Sequence, residues 1–225
     1  MFHVKRFIIL ALFIPFGVCA QHMGTTVIEV KEFPPLPSKN ISIDKFLDQF
    51  PETGSLSKLQ REWFYWTNYS RENPRRFWDS VVFPLLKSFP ALDNSYSQSL
   101  KKDLYKVQSL PFVKPNASLA LVSGKLAKEL ASKKAAPSHT SPSGSTFEDR
   151  MKEAAIKFCA GENISFGPDN PVFMLTLLYI DQGVPDLGHR KTLLDPTYVE
   201  MGIGAASYPD KKWMVIQEFA CNQKK

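Results

Sequence analysis

Four residues in the C-terminal half have the types needed for joint proton or metal chemistry: His139, Glu162, Asp181 and His189. His139 falls in the turn-forming run APSHTSPSGS, and Glu162 starts an expected strand immediately after Gly161. Asp181 ends an apolar helical run, and His189 lies in the Gly/Pro-rich bend DQGVPDLGHR that follows it. All four stand at the ends of expected elements, where side chains can converge on a cleft. Two imidazoles with two carboxylates suit proton transfer near neutral pH. They equally suit zinc or another divalent cation, for which imidazole nitrogen and carboxylate oxygen are preferred donors. None of the spacings forms a recognised local metal or triad signature. Taken singly, each histidine reads as a hydrogen-bonded structural residue and each acid as a helix-end or turn residue.

Placing four such residues together requires a framework, and the sequence supplies helices first. Ser57 and Gln60 form a capping box ahead of LQREWFYWTNYSREN, in which Leu59, Trp63, Trp66 and Tyr69 recur at helical spacing and mark a core face. Pro74 stops or bends that helix. Further helices are expected at 77–88 and 95–108, the second opened by Ser95 and Gln98. Asn116 caps a helix whose Leu119, Val122, Leu126 and Leu130 share one stripe, and TFEDRMKEAAIKF gives a short one. Asn170-Pro171 opens VFMLTLLYID, apolar on every side and therefore buried.

Strands come late, at 162–167, 201–207 and 212–220, the last two joined as a hairpin across Tyr208-Pro209-Asp210-Lys211. In the final strand Trp213, Val215 and Phe219 face one way, whereas Met214, Ile216 and Ala220 face the other. A sheet apolar on both faces must be covered on both. The expected fold is α+β, a three-layer α/β/α sandwich with a small central antiparallel sheet.

Residues 1–20 read as a secretory signal peptide, with Lys5 and Arg6 before an apolar run from Phe7 to Val18 and cleavage after Ala20. No later run is long enough to span a bilayer. Residues 21–53, containing FPPLPSKN, read as an extended leader, a tether or strap in which only ISIDKFLDQF offers a short amphipathic helix. Residues 54–225 form one domain. The formal charge is +6, or +4 once Lys5 and Arg6 are removed, and basic and acidic residues are interspersed. Lys133-Lys134 and Lys211-Lys212 read as solvated surface, and nucleic acid is disfavoured as a partner. Cys159 and Cys221 either form a bridge, closing a loop of 62 residues for about 4 kcal/mol, or remain two buried thiols.

Four words, SHTSPSGSTFEDR (138–150), GENISFG (161–167), DQGVPDLGHRKTLLDP (181–196) and EMGIGAAS (200–207), resemble the successive blocks of the CAP superfamily. That superfamily comprises cysteine-rich secretory proteins, antigen 5 and pathogenesis-related proteins. The similarity is closest to the bacterial secreted branch and, with NYSRENPRRF (68–77), covers about residues 56–221. The resemblance implies a three-layer sandwich and a cleft formed by His139, Glu162, Asp181 and His189. Asp181 stands where the family usually has a glutamate. In some members the two histidines hold a divalent metal, which implies His139 and His189 as ligands, with Glu162 and Asp181 orienting the rings or holding a metal-bound water.

No nucleophile signature and no phosphate loop is present. The leading expectation is therefore a secreted or periplasmic binding or interaction module of the cell envelope, with an unidentified extracellular ligand. The alternative is a metal-assisted hydrolase of peptide or cell-wall substrates, with Glu162 as base and Asp181 in support. No organic cofactor is expected. The oligomeric state is left open.

Overall fold

The computed structural model describes residues 32–223, so the signal-peptide expectation lies outside the described residues. Helix α1 spans Ile41–Leu47, α2 Lys58–Glu72, α3 Pro74–Phe77, α4 Phe83–Ser88 and α5 Ser95–Lys106. Strand β1 (Lys114–Pro115) precedes α6 (Ala117–Ser132) and α7 (Phe147–Glu153). The chain then runs through β2 (Ala160–Pro168), α8 (Pro171–Ile180), α9 (Gly188–Leu194), β3 (Tyr198–Tyr208) and β4 (Lys212–Cys221).

The sheet has the order β1-β3-β4-β2, with β2–β4 and β3–β4 antiparallel. Strand β1 pairs in parallel with β3, Lys114 opposite Glu200 and Pro115 opposite Met201. The expected antiparallel sheet is thus mixed. A two-residue strand containing proline carries no pattern by which sequence could reveal it.

The two apolar faces of β4 are both covered. Val215 and Phe219 join the main core with Trp63 and Trp66 of α2 and Leu175 and Tyr179 of α8. Met214 and Ile216 pack on the other side against Leu126 and Leu130 of α6, while Ala220 meets Leu119, Val122 and Met151. The result is an α/β/α sandwich. Helix α6 lies so close to β3 that side chains are excluded between them. A Cβ on Gly202 would come within 2.2 Å of the Leu119–Ala120 backbone, and one on Gly204 within 2.1 Å of the Ser123 carbonyl.

Ser57 and Gln60 form the expected capping box. The α5 cap falls one residue earlier than expected: Asn94 and Ser97 make the box, and Gln98 instead donates to Asp93 at 2.6 Å. Asn94 adopts extended backbone and its short amide accepts from Tyr96 N–H, which places it ahead of Ser95 for the role. The expected helix at 77–88 begins at Pro74 and includes a π-helical turn, Trp78–Val82.

The segment read as a leader is built onto the domain. Ile43 and Leu47 of α1 are fully buried in the main core, and Phe33 lies 5.4 Å from the Phe89 ring and 5.2 Å from that of Phe173. Cys159 and Cys221 are bridged, tying the start of β2 to the end of β4. No helix among the described residues is long and apolar enough to cross a membrane.

Candidate functional site: two histidine–carboxylate pairs

The loop after α6 carries His139. Arg150 on α7 holds that loop, donating from Nη1 to the carbonyls of His139 at 3.1 Å and Ser145 at 3.3 Å. Glu162, near the start of β2, accepts from His139 Nδ1 at 2.6 Å, and its other oxygen pairs with Arg150 Nη2. Its side chain is 2% exposed, whereas that of His139 is 42% exposed. A buried, immobilised acid therefore orients a ring that solvent can reach.

The β2–β4 register puts Glu218 directly opposite Glu162, and Arg150 Nε donates to Glu218 at 3.1 Å. One buried guanidinium thus serves two buried carboxyl groups, which cannot both ionise cheaply. Burial, and then the neighbouring Glu162 charge, pushes the Glu218 pKa up to about 10. Burial also opposes ionisation of Glu162. There the hydrogen bonds from His139 and Glu218, with the Arg150 charge, outweigh it and hold the group below its ordinary value. These opposite shifts favour a Glu162 carboxylate beside a Glu218 carboxylic acid.

The second pair is built at the end of α8. Asp181 is 2% exposed and sits in the left-handed conformation with φ 58°, a state that a short polar side chain tolerates better than most. Its Oδ1 accepts from His189 Nδ1 at 2.6 Å, and Oδ2 accepts from Arg190 N–H at 3.2 Å. His189 lies on α9, within its first turn, rather than in the bend where sequence put it. The bend is nevertheless what aims it: Leu187, also left-handed at φ 53°, turns the chain into the helix.

Residues 94–219 match the family described as "CAP: Cysteine-rich secretory protein family". The chain belongs to the CAP family. A comparison with curated proteins gave no match. Among solved structures, an extracellular protein containing an SCP domain from Bacillus anthracis str. Ames is 29% identical with TM-score 0.40, over 50% of this chain and 35% of its own. This chain therefore spans about a third of that protein. An outer surface protein from Borrelia burgdorferi is 18% identical with TM-score 0.42, covering 57% of this chain and 90% of its own. Venom allergen-like protein 4 of Schistosoma mansoni is 14% identical with TM-score 0.45, covering 75% and 92%.

Within this CAP domain the two pairs are carried by elements that meet at the start of β2. A Cβ on Gly161 would stand 2.8 Å from Tyr198 Oη and 3.2 Å from Thr192 Cγ2, so glycine there lets α9 approach the strand beside Glu162. His189 precedes Thr192 by one helical turn. The four expected site residues come together two by two. Among the described residues no three His, Cys, Asp or Glu side chains form a group that could hold a metal ion.

The chemistry of each pair follows from its hydrogen bond. A carboxylate on Nδ1 requires the proton there, which leaves Nε2 of the neutral ring as a lone-pair donor. That is how metal-binding histidines are commonly oriented. Because Glu162 and Asp181 are engaged on the rings, each pair leaves one Nε2 as its remaining donor. Catalytic zinc usually has three protein ligands.

Sequence reasoning missed the three arginines and Glu218 that hold this CAP site in place. Arg190 donates to the carbonyls of Tyr179, Ile180 and Tyr96 and to Asp103, clamping the end of α8 against α5. Arg71, fully buried, donates to the carbonyls of Pro111, Leu193, Asp195 and Tyr198. Glu218 did leave a signal: an acid inside a strand apolar on both faces must be either paired with a buried cation or protonated.

Proposed function

We propose that this CAP domain acts outside the cytoplasm, secreted or periplasmic, as a binding module of the cell envelope whose ligand engages His139 and His189. The observation that carries this reading is the pairing of each ring through Nδ1 with a buried carboxylate, which fixes the ring and leaves Nε2 for an incoming group. The Cys159–Cys221 bridge supports the location, since such bridges persist in oxidising compartments. Zinc or another divalent cation is a proposed accessory, held by the two Nε2 atoms with solvent completing its coordination. Two imidazoles are fewer ligands than hydrolytic zinc normally has, and this favours binding over the metal-assisted hydrolysis that Glu162 and Asp181 would otherwise support.

Zinc titration calorimetry on the wild type and on His139→Ala/His189→Ala, with both proteins assayed on peptide and cell-wall substrates, tests the reading. Weak zinc binding lost in the double variant, without turnover by either protein, is the expected result. Metal-dependent turnover abolished by the double change would replace the binding role with the hydrolase.

A further inference from the structure

Two lysine pairs far apart in the sequence are brought to one end of the sandwich. Lys133 and Lys134 follow the last turn of α6, and Lys211 and Lys212 lie at the β3–β4 turn. The two regions are packed together: Tyr208 Oη reaches the Ala135 carbonyl at 3.5 Å, and Tyr208, Ala135 and Ala206 share an apolar cluster with Phe166. This end lies away from the histidine pairs, since β2 carries Glu162 near its first residue and pairs its last, Pro168, with Lys212.

Beyond the close approach at Gly202 and Gly204, along the last turns of α6 and the end of β3, runs an open groove of about 440 Å³ lined by Lys128, Ala131, Ser132, Ala205, Ala206 and Ser207. Its floor is small and its rim carries hydroxyls and an ammonium group. Lys125, one turn earlier, is neutralised by Glu153, whereas none of Lys128, Lys133, Lys134, Lys211 or Lys212 is in an ion pair among the described residues. Of the nearby acids, Glu129 is engaged by Ser143 N–H and Oγ. Asp210 and Asp169 are exposed near the turn and offset part of the charge.

We propose that this groove, lined by Lys128, together with Lys133, Lys134, Lys211 and Lys212 at the same end of the sandwich, forms a docking surface for a flexible phosphate polymer, a chain of regularly spaced anionic groups without bases. Lysine ammonium groups act as point charges that do not demand a fixed ligand orientation, which matches a flexible polyanion. The groove floor offers alanines, and the two rings at this end, Phe166 and Tyr208, are packed edge to face with Lys212 over Phe166 rather than offered for base stacking, which argues against nucleic acid. The turn Pro209-Asp210-Lys211-Lys212 offers no large apolar side chain to insert into a bilayer, which argues against a lipid surface. The surface is independent of the histidine pairs and stands whether or not they bind a ligand.

Linear inorganic polyphosphate is the probe. Five contacts at the slope known for flexible single strands predict that affinity falls about 100-fold between 50 and 200 mM salt. The variant Lys128→Gln/Lys133→Gln/Lys134→Gln/Lys211→Gln keeps only Lys212 and should bind much more weakly, with a salt effect of about threefold. A control with the same charge loss elsewhere, Lys45→Gln/Lys58→Gln/Lys102→Gln/Lys106→Gln, and His139→Ala/His189→Ala should both retain the wild-type salt dependence. Equal losses in the groove and control variants would overturn the proposal, as would wild-type affinity in the groove variant. Binding to anionic phosphatidylglycerol vesicles without binding to polyphosphate would also overturn it.

Discussion

Replacing Glu218 with glutamine tests the charge arrangement beneath His139 directly. Arg150 carries one positive charge between two buried carboxyl groups, so Glu162 is ionised and Glu218 retains a proton. The folded pKa of Glu218, about 10, lies above its ordinary value of 4.5, so between these values the folded state binds a proton that the unfolded state has released. Stability from this group is complete below about pH 4.5 and declines as pH rises, by a little over 1 kcal/mol per unit. From pH 6 to pH 8 the loss attributable to Glu218 is about 3 kcal/mol. Glu162, held below its ordinary value, is ionised in both states across that range and adds no slope. A glutamine has the shape of the neutral acid and cannot release a proton. Glu218→Gln should therefore match the wild type to within about 1 kcal/mol near pH 4.5, and exceed it by about 2 kcal/mol near pH 6 and about 5 kcal/mol near pH 8. Urea unfolding at pH 4.5, 6, 7 and 8, with unchanged m-values, gives the comparison. If the two proteins lose stability in parallel, Glu218 holds no proton. If the variant is weaker by 3–5 kcal/mol at every pH, Glu218 is an ionised partner of Arg150.

Other substitutions probe the frame. Gly204→Ala places a methyl group against the Ser123 carbonyl and should cost at least about 3 kcal/mol. Gly124→Ala, on the facing helix with nothing within 4 Å, should instead stabilise by up to about 1 kcal/mol. Thermal melts of the two variants should move in opposite directions. Arg71→Lys keeps the charge but cannot reach four carbonyls with a planar fork, so urea unfolding should show a loss of about 3 kcal/mol or more. Cys159→Ser/Cys221→Ser opens the 62-residue loop and should lower stability by about 4 kcal/mol, and reductant should do the same to the wild type only.

What sequence could reveal here depended on whether the signal was local. The Ser57–Gln60 box, the Asn116 and Asn170 caps and the two-faced alternation of β4 are each set within a few residues, and each holds in the structure. The two-residue β1 has no local pattern, and its pairing with β3 follows from where the α5–α6 connection passes. The α5 cap was misplaced by one because Asn94, Ser95, Ser97 and Gln98 offer two overlapping boxes. Backbone conformation, invisible in sequence, chooses between them. Likewise, the α1 segment looked separable because its short apolar stripe does not say what it packs against.

The site was legible as a set of residues but not as a set of partners, and the physical reason is charge balance across the chain. His139 and Glu162 are 23 positions apart, yet their pairing depends on Arg150 and on Glu218, which is brought in by strand register 56 positions beyond Glu162. Asp181 and His189 are near neighbours, but the contact requires left-handed backbone at both Asp181 and Leu187, of which the sequence gives no sign at the leucine. A buried carboxylate can orient an imidazole only while something else keeps it ionised and still. Arg150 does both for Glu162, whereas Asp181 is fixed in place by the Arg190 N–H and by its left-handed backbone at the end of α8. The two rings are therefore held by different means, one by a buried ion pair and the other by backbone geometry. Disturbing Arg150 should release His139 while leaving the Asp181–His189 pair intact.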